Sequence, residues 1–103
     1  MNGPESSAVR VERPAMGMSH DDFFRVLPRV LEGLAWRREG LAIHAVWPQG
    51  ARLVAKVSPQ RQRRIASLGL PMVDIELVFN NLDAAELAAF LQRFDTAFHK
   101  GGG

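Results

Sequence analysis

Apolar positions recur at three- and four-residue spacing after Ser19, at Phe23, Val26, Leu27, Val30, Leu31 and Leu34, which is the period of one face of an α-helix. Asp21 and Asp22 stand where negative charge stabilises a helix N-terminus, and Gly40 supplies a stop. Pro28 lies inside the run, where it removes one backbone hydrogen bond, so a kink or a division into a leading turn and a main helix is expected. The period then changes to two. Leu41 to Trp47 and Arg52 to Val57 alternate as strands around Pro48-Gln49-Gly50, a good three-residue hairpin loop with Gly in the left-handed position.

The hairpin register follows from the pattern alone. Trp47 against Ala51 sets Ala45 opposite Leu53, Ile43 opposite Ala55 and Leu41 opposite Val57, so that one face is apolar throughout. The other face carries Ala42, His44, Val46, Arg52, Val54 and Lys56. Val73 to Phe79 reads as a third strand, with Val73, Ile75, Leu77 and Phe79 on one side and Asp74, Glu76 and Val78 on the other. After Asn80-Asn81 and a capping Asp83, the stripe Leu87, Phe90, Leu91, Phe94 and Phe98 predicts a closing helix.

Between Ser58 and Met72 the reading is divided. Ser58 as cap, Pro59 at the first helical position and Gly69 as terminator favour a short helix, whereas a fourth strand over Arg64 to Leu68 that turns at Gly69-Leu70-Pro71 is the competitor. The expected architecture is α+β: a three-stranded, alternatively four-stranded, mainly antiparallel sheet with two long helices on one face, in the order α-β-β-(short α)-β-α. Residues 1–18 carry little periodicity and read as a flexible tail, 19–100 as a single domain, and 101–103 as a flexible glycine tail.

Composition narrows the classes. A chain of 103 residues, 47% hydrophobic, holds one core. The sequence pI near 9.9 overstates the basicity: the formal charge is only +2 and the chain has neither Tyr nor Cys, so little titrates between His and Lys. Zero cysteines exclude disulfides, thiol nucleophiles and Cys-based metal sites. With no bilayer-length apolar run and no signal-peptide core at the N-terminus, the cytoplasm is the expected compartment.

Charge is distributed unevenly. Arg52, Lys56, Arg61, Arg63 and Arg64 give +5 over residues 52–64, while Asp74, Glu76, Asp83, Glu86 and Asp95 against Arg93 give −4 over residues 74–95. Arg52 and Lys56 are expected to meet Asp74 and Glu76 across neighbouring strands, worth roughly 0.2–1 kcal/mol per pair. Arg61, Arg63 and Arg64, if helical, could converge on a phosphate or carboxylate. RNA binding by three such contacts would have a salt slope of only about −2 to −3, and no interleaved aromatics accompany them.

Other candidates carry less. His44 beside Glu76 or Asp74 has the elements of an acid–base pair, but no Ser, Cys or second His completes a catalytic set. His20-Asp21-Asp22 is better explained by helix capping than by a metal. Gly101-Gly102-Gly103 resembles the Gly-Gly ending of ubiquitin-like and sulfur-carrier proteins, which implies a carboxylate adenylated for transfer. In those families, however, the tail leaves a strand, and here it follows the helical run ending at Phe98-His99-Lys100.

The expected function is therefore a small non-enzymatic domain without cofactor or metal. It would bind a protein partner or a copy of itself through an open sheet face built on His44, Val46, Val54 and Val78, with the arginine cluster at its rim. Weak binding of RNA or a phosphate ligand by Arg61, Arg63 and Arg64 is the alternative, and a Gly-Gly carrier the remote one.

Overall fold

The computed structural model describes residues 8–101. Eight elements follow one another: β1 (Val9–Met16), α1 (His20–Val30), β2 (Ala35–Glu39), β3 (Ala42–Val46), β4 (Arg52–Val57), β5 (Arg61–Ile65), β6 (Leu68–Asn80) and α2 (Ala84–Gly101). The strands form one antiparallel sheet ordered β1-β6-β4-β3-β2, with β5 alongside the first half of β6. The order is β-α-β-β-β-β-β-α with six strands, so the expected three- or four-stranded sheet that begins with a helix is corrected.

Three segments account for the difference. Residues 1–18, read as a tail, contain β1, which pairs with β6 from Val9↔Phe79 to Met16↔Val73; residues 1–7 lie outside the described part. The helix expected to run to Gly40 ends at Val30, two residues after Pro28, and the chain turns through Gly33 at φ +88° into β2. Pro28 has no N–H to bond the Phe24 carbonyl, which removes one hydrogen bond from the last turn of α1, and the helix stops two residues later. Gly40, at φ +63°, does not stop a helix but opens the two-residue β2–β3 turn, as a type II′ hairpin requires at its first central position. The third segment, Arg61–Ile65, is strand β5 and not a helix.

Where the pattern was strong it was followed. The β3–β4 register has Ile43 opposite Ala55 and Ala45 opposite Leu53, and β6 adds Leu77 against Ala55 and Phe79 against Leu53. These residues, with Val57, Val73 and Ile75, are buried beneath both helices. Ser19 caps α1, its hydroxyl accepting from the Asp22 N–H. Phe90, Phe94 and Phe98 lie on one stripe of α2 and link the two ends of the core: Phe23 stacks on Phe98 at 4.9 Å, and Phe90 meets Trp47 and Phe79 at 5.7 and 5.4 Å. No polar or charged residue is buried among those described. A bidentate pair from Arg13 to Asp95, at 2.8 and 2.7 Å, fastens β1 to α2 at the edge of this core, and the Arg13 pKa is raised, chiefly by that hydrogen bonding.

Candidate interaction surface

The chain from β4 through β5 is nearly one continuous strand running antiparallel to the long β6. Val57 pairs with Ile75, and Arg61 resumes pairing with Met72. Three residues, 58–60, therefore oppose two, 73 and 74, and the extra one makes a bulge. This bulge is well braced: the Asp74 N–H donates to the Ser58 hydroxyl at 2.9 Å, the His20 backbone N–H donates to Gln60 Oε1 at 2.7 Å, and the His20 ring nitrogen Nε2 lies 2.8 Å from the Ser58 carbonyl.

Beyond the bulge the hairpin leaves the helices behind. Five pairs, from Arg61↔Met72 to Ile65↔Leu68, form a two-stranded arm that turns at Ala66-Ser67. Every residue from Arg61 to Leu70 is exposed. Paired residues share a face, so Arg61, Arg63, Ile65, Leu68, Leu70 and Met72 lie on one side of the arm and Gln62, Arg64, Gly69 and Pro71 on the other. The first side continues the outer face of the main sheet, since Arg61 reaches both Met72 Sδ at 3.5 Å and Asp74. On that side Leu68 is 63% exposed, Ile65 49% and Leu70 41%, an unusual cluster of large aliphatic groups for a surface.

No element among the described residues packs on the outer face of the main sheet. Its rows run across the strands: Arg10, Val78, Val54 and His44; then Glu12, Glu76, Lys56 and Ala42. Val46 is 41% exposed, and Ala42, Val54 and Val78 are half-buried. A depression of about 480 Å³ near the arm base is lined by Glu12, Lys56, Ser58, Asp74 and Glu76. Another of about 450 Å³ lies among Ala35, Arg37, His44, Val46, Arg52 and Val54.

The five cations singled out in the sequence do not form one cluster. Arg52 lies at the far end of the sheet beside Val46 and Asn80, and Lys56 faces Glu76. Arg61 is held at the arm base by Asp74, at 2.7 and 3.3 Å. This pairing, followed by the N–H of Ala15, lowers the Asp74 pKa below the ordinary aspartate value. Arg63 and Arg64 point to opposite faces of the arm and make no hydrogen bond or ion pair among the described residues. A helix would have gathered the arginines; a strand spreads Arg52 to Arg63 over on the order of 30 Å.

His44 is also placed differently from expectation. Strand β4 separates it from β6, and its carboxylate neighbour is Glu39, 3.3 Å away, rather than Glu76 or Asp74. Glu76 is paired with Arg10 at 2.9 Å. Among the described residues no group of three or more His, Asp or Glu side chains is arranged to hold a metal ion, and no helix is long and apolar enough to cross a membrane. Helix α2 continues to Gly101, while Gly102 and Gly103 lie outside the described residues.

Sequence reasoning did not single out Ile65, Leu68 and Leu70 on the arm or Glu12 on β1. The period-two spacing of Arg63 with Ile65 and of Leu68, Leu70 and Met72 was the available signal. It was masked because the turn uses Ala66-Ser67, with Ala66 at φ +57°, while Gly69 and Pro71 stand within the strand and mimic a turn. No protein-family model matches the chain, and no curated protein or solved structure matches it either.

Proposed function

We infer that this chain is a small, cytoplasmic, non-enzymatic interaction domain that docks a protein through its outer sheet face and the arm that extends it. One observation carries this reading: Ile65, Leu68 and Leu70 stand exposed together on the side of the arm continuous with the uncovered face bearing Val46, Val54 and Val78. Exposing three large aliphatic side chains forgoes roughly 1.5–3 kcal/mol for each that a contact could bury. Two-stranded ribbons also keep unpaired edges, which natural proteins cover or use. Arg63 adds a charge that selects an acidic neighbour.

The reading is tested by site-specific photocrosslinking in cells, with a photoreactive residue in place of Leu70, Val54 or, as a control on the exposed side of α2, Gln92. Adducts of defined mass at Leu70 and Val54 but not at Gln92 support it. No adduct, or equal labelling at all three positions, overturns it.

A second reading is weak binding of RNA or of a phosphate ligand, favoured by the unpaired guanidinium groups of Arg63 and Arg64. With Arg61 engaged by Asp74 and the other two directed to opposite sides, convergence on one phosphate is poor. Retention on an RNA or phosphate matrix at low salt that disappears when Arg63 and Arg64 are both replaced by Ser would favour this reading. Retention unchanged by the substitution would dismiss it.

A further inference from the structure

We propose that the depression across β2, β3 and β4 on the outer face is a binding site for a small organic oxyanion, a carboxylate or phosphate carried on an apolar group. It lies at the end of the sheet away from the arm, and the inference stands independently of the docking reading.

Two neighbouring rows of the ladder build the site: Ala35, Val46 and Arg52 in one, and Arg37, His44 and Val54 in the other. Alternate residues of a strand share a face, so all six belong to the outer side. The two arginines occupy opposite corners, two strands and one row apart, which strand spacings put at roughly 12 Å between Cα atoms. Ala35, Val46 and Val54 are short, which leaves the middle low, and a depression of about 450 Å³ lies there. Both guanidinium groups and the His44 imidazole line it. An oxyanion seated over the middle strand, between His44 and Val46, is therefore approached by forked donors from two sides and by a ring N–H from below.

The electrostatics favour an anion at this place in particular. Arg10 and Arg61 on the same face are closed by carboxylates at 2.9 and 2.7 Å, whereas Arg52 makes no hydrogen bond or ion pair among the described residues. Glu39 stands one row beyond Arg37 and does not line the depression. Its contacts to Arg37 and His44, at 3.4 and 3.3 Å, are longer than the usual charge-assisted hydrogen bond, so an entering oxyanion competes with a loose neighbour. The depression at the arm base has the opposite character, with Glu12, Asp74 and Glu76 set against Lys56. Charge selects an oxyanion; the floor selects what carries it. Val46 is 41% exposed, and its methyl groups, with those of Val54 and Ala35, offer apolar contact that a bare inorganic ion leaves unused.

Amide NMR titration of the full chain with benzoate and with phenyl phosphate, against benzyl alcohol and inorganic phosphate as controls, tests the inference. At least one of the two organic anions should shift the amides of Arg37, Val46 and Arg52 saturably, with a Kd of about 1–10 mM, and the tighter of the two identifies the acid group. Each control should bind at least about fivefold more weakly, the alcohol for want of charge and the phosphate for want of an apolar body. Arg52→Ser should weaken binding by about fivefold or more. Glu39→Gln, which releases Arg37 and His44, should tighten it by about twofold or more, a gain that loss of folding cannot mimic. The inference is overturned if neither organic anion gives saturable shifts up to about 50 mM, if either control matches them, if the shifts centre on Arg63 and Arg64, or if either substitution leaves the affinity unchanged in a chain whose amide dispersion shows it folded. Failure here leaves the docking reading intact, and absence of an adduct at Val54 ends that reading while leaving this site standing.

Discussion

One hairpin contains both extremes of this molecule. Between Arg52–Val57 and the second half of β6, its inner face lies beneath two helices, and Leu53, Ala55, Leu77 and Phe79 are shut away from water. Between Arg61–Ile65 and Leu68–Met72, the same two strands keep the same antiparallel pairing with neither face covered by a helix. The backbone geometry scarcely changes across the bulge; the burial changes almost completely. Pairing thus sets the shape of both halves, while the free energy that holds them resides mainly in the covered one. The uncovered half is left with apolar side chains to offer elsewhere.

The comparison can be broken by substitution. Leu77→Ala in the covered half should cost roughly 2–5 kcal/mol by urea unfolding, whereas Leu70→Ala in the arm should change stability by under about 0.5 kcal/mol. Equal losses would mean that the arm is packed within the monomer after all. Hydrogen exchange sharpens the same contrast: amides of Arg63 to Leu70 should exchange through local opening, while those of Ile75 and Leu77 should require openings approaching global unfolding.

Smaller effects locate the boundary between the halves. A double-mutant cycle on Arg13 and Asp95, which join β1 to α2, should return a coupling of about 0.5–1 kcal/mol, the upper range for a partly exposed bidentate pair. The Arg61–Asp74 pair at the arm base should show itself through pH. Because the Asp74 pKa is lowered in the fold, its stabilising contribution is present above the ordinary aspartate pKa and is lost as pH falls through the lower folded value. Protection of amides around Met72 should therefore decline in acid, below about pH 4, and Asp74→Asn should remove that acid-dependent component. At the tip of the arm a gain of about 0.5 kcal/mol is expected from Ala66→Gly, since the turn residue sits at φ +57°, where an alanine Cβ is strained; thermal unfolding would measure it.

Much of the covered half was legible in the sequence. The alternation in Leu41–Val57 and Val73–Phe79 identified the inner face and the register of β3 with β4, and the stripe through Phe90, Phe94 and Phe98 identified the helix above it. The elements that escaped were β1, β2 and β5. All five residues of β2 and all five of β5 are exposed, and β1 has no fully buried residue, only Val11 and Met16 packing partly against the core. Hydrophobic periodicity reports burial, and a strand without a buried face leaves little of it. The surface read from the sequence shared this division: His44, Val46, Val54 and Val78 were found on the outer face, whereas the arginine cluster dissolved once its segment was extended.

Sequence by itself determined which residues avoid water and, through Asp21 and Asp22 and the loop at Gly50, where one helix begins and one hairpin turns. These are local preferences and transfer energies, legible from side-chain type and spacing. Only the tertiary structure decided that Val9–Met16 and Ala35–Glu39 complete the sheet, that Asp74 holds Arg61, and that Ile65, Leu68 and Leu70 stand together in solvent. Those outcomes depend on backbone groups meeting partners many residues away, and the backbone is the same in every residue but proline.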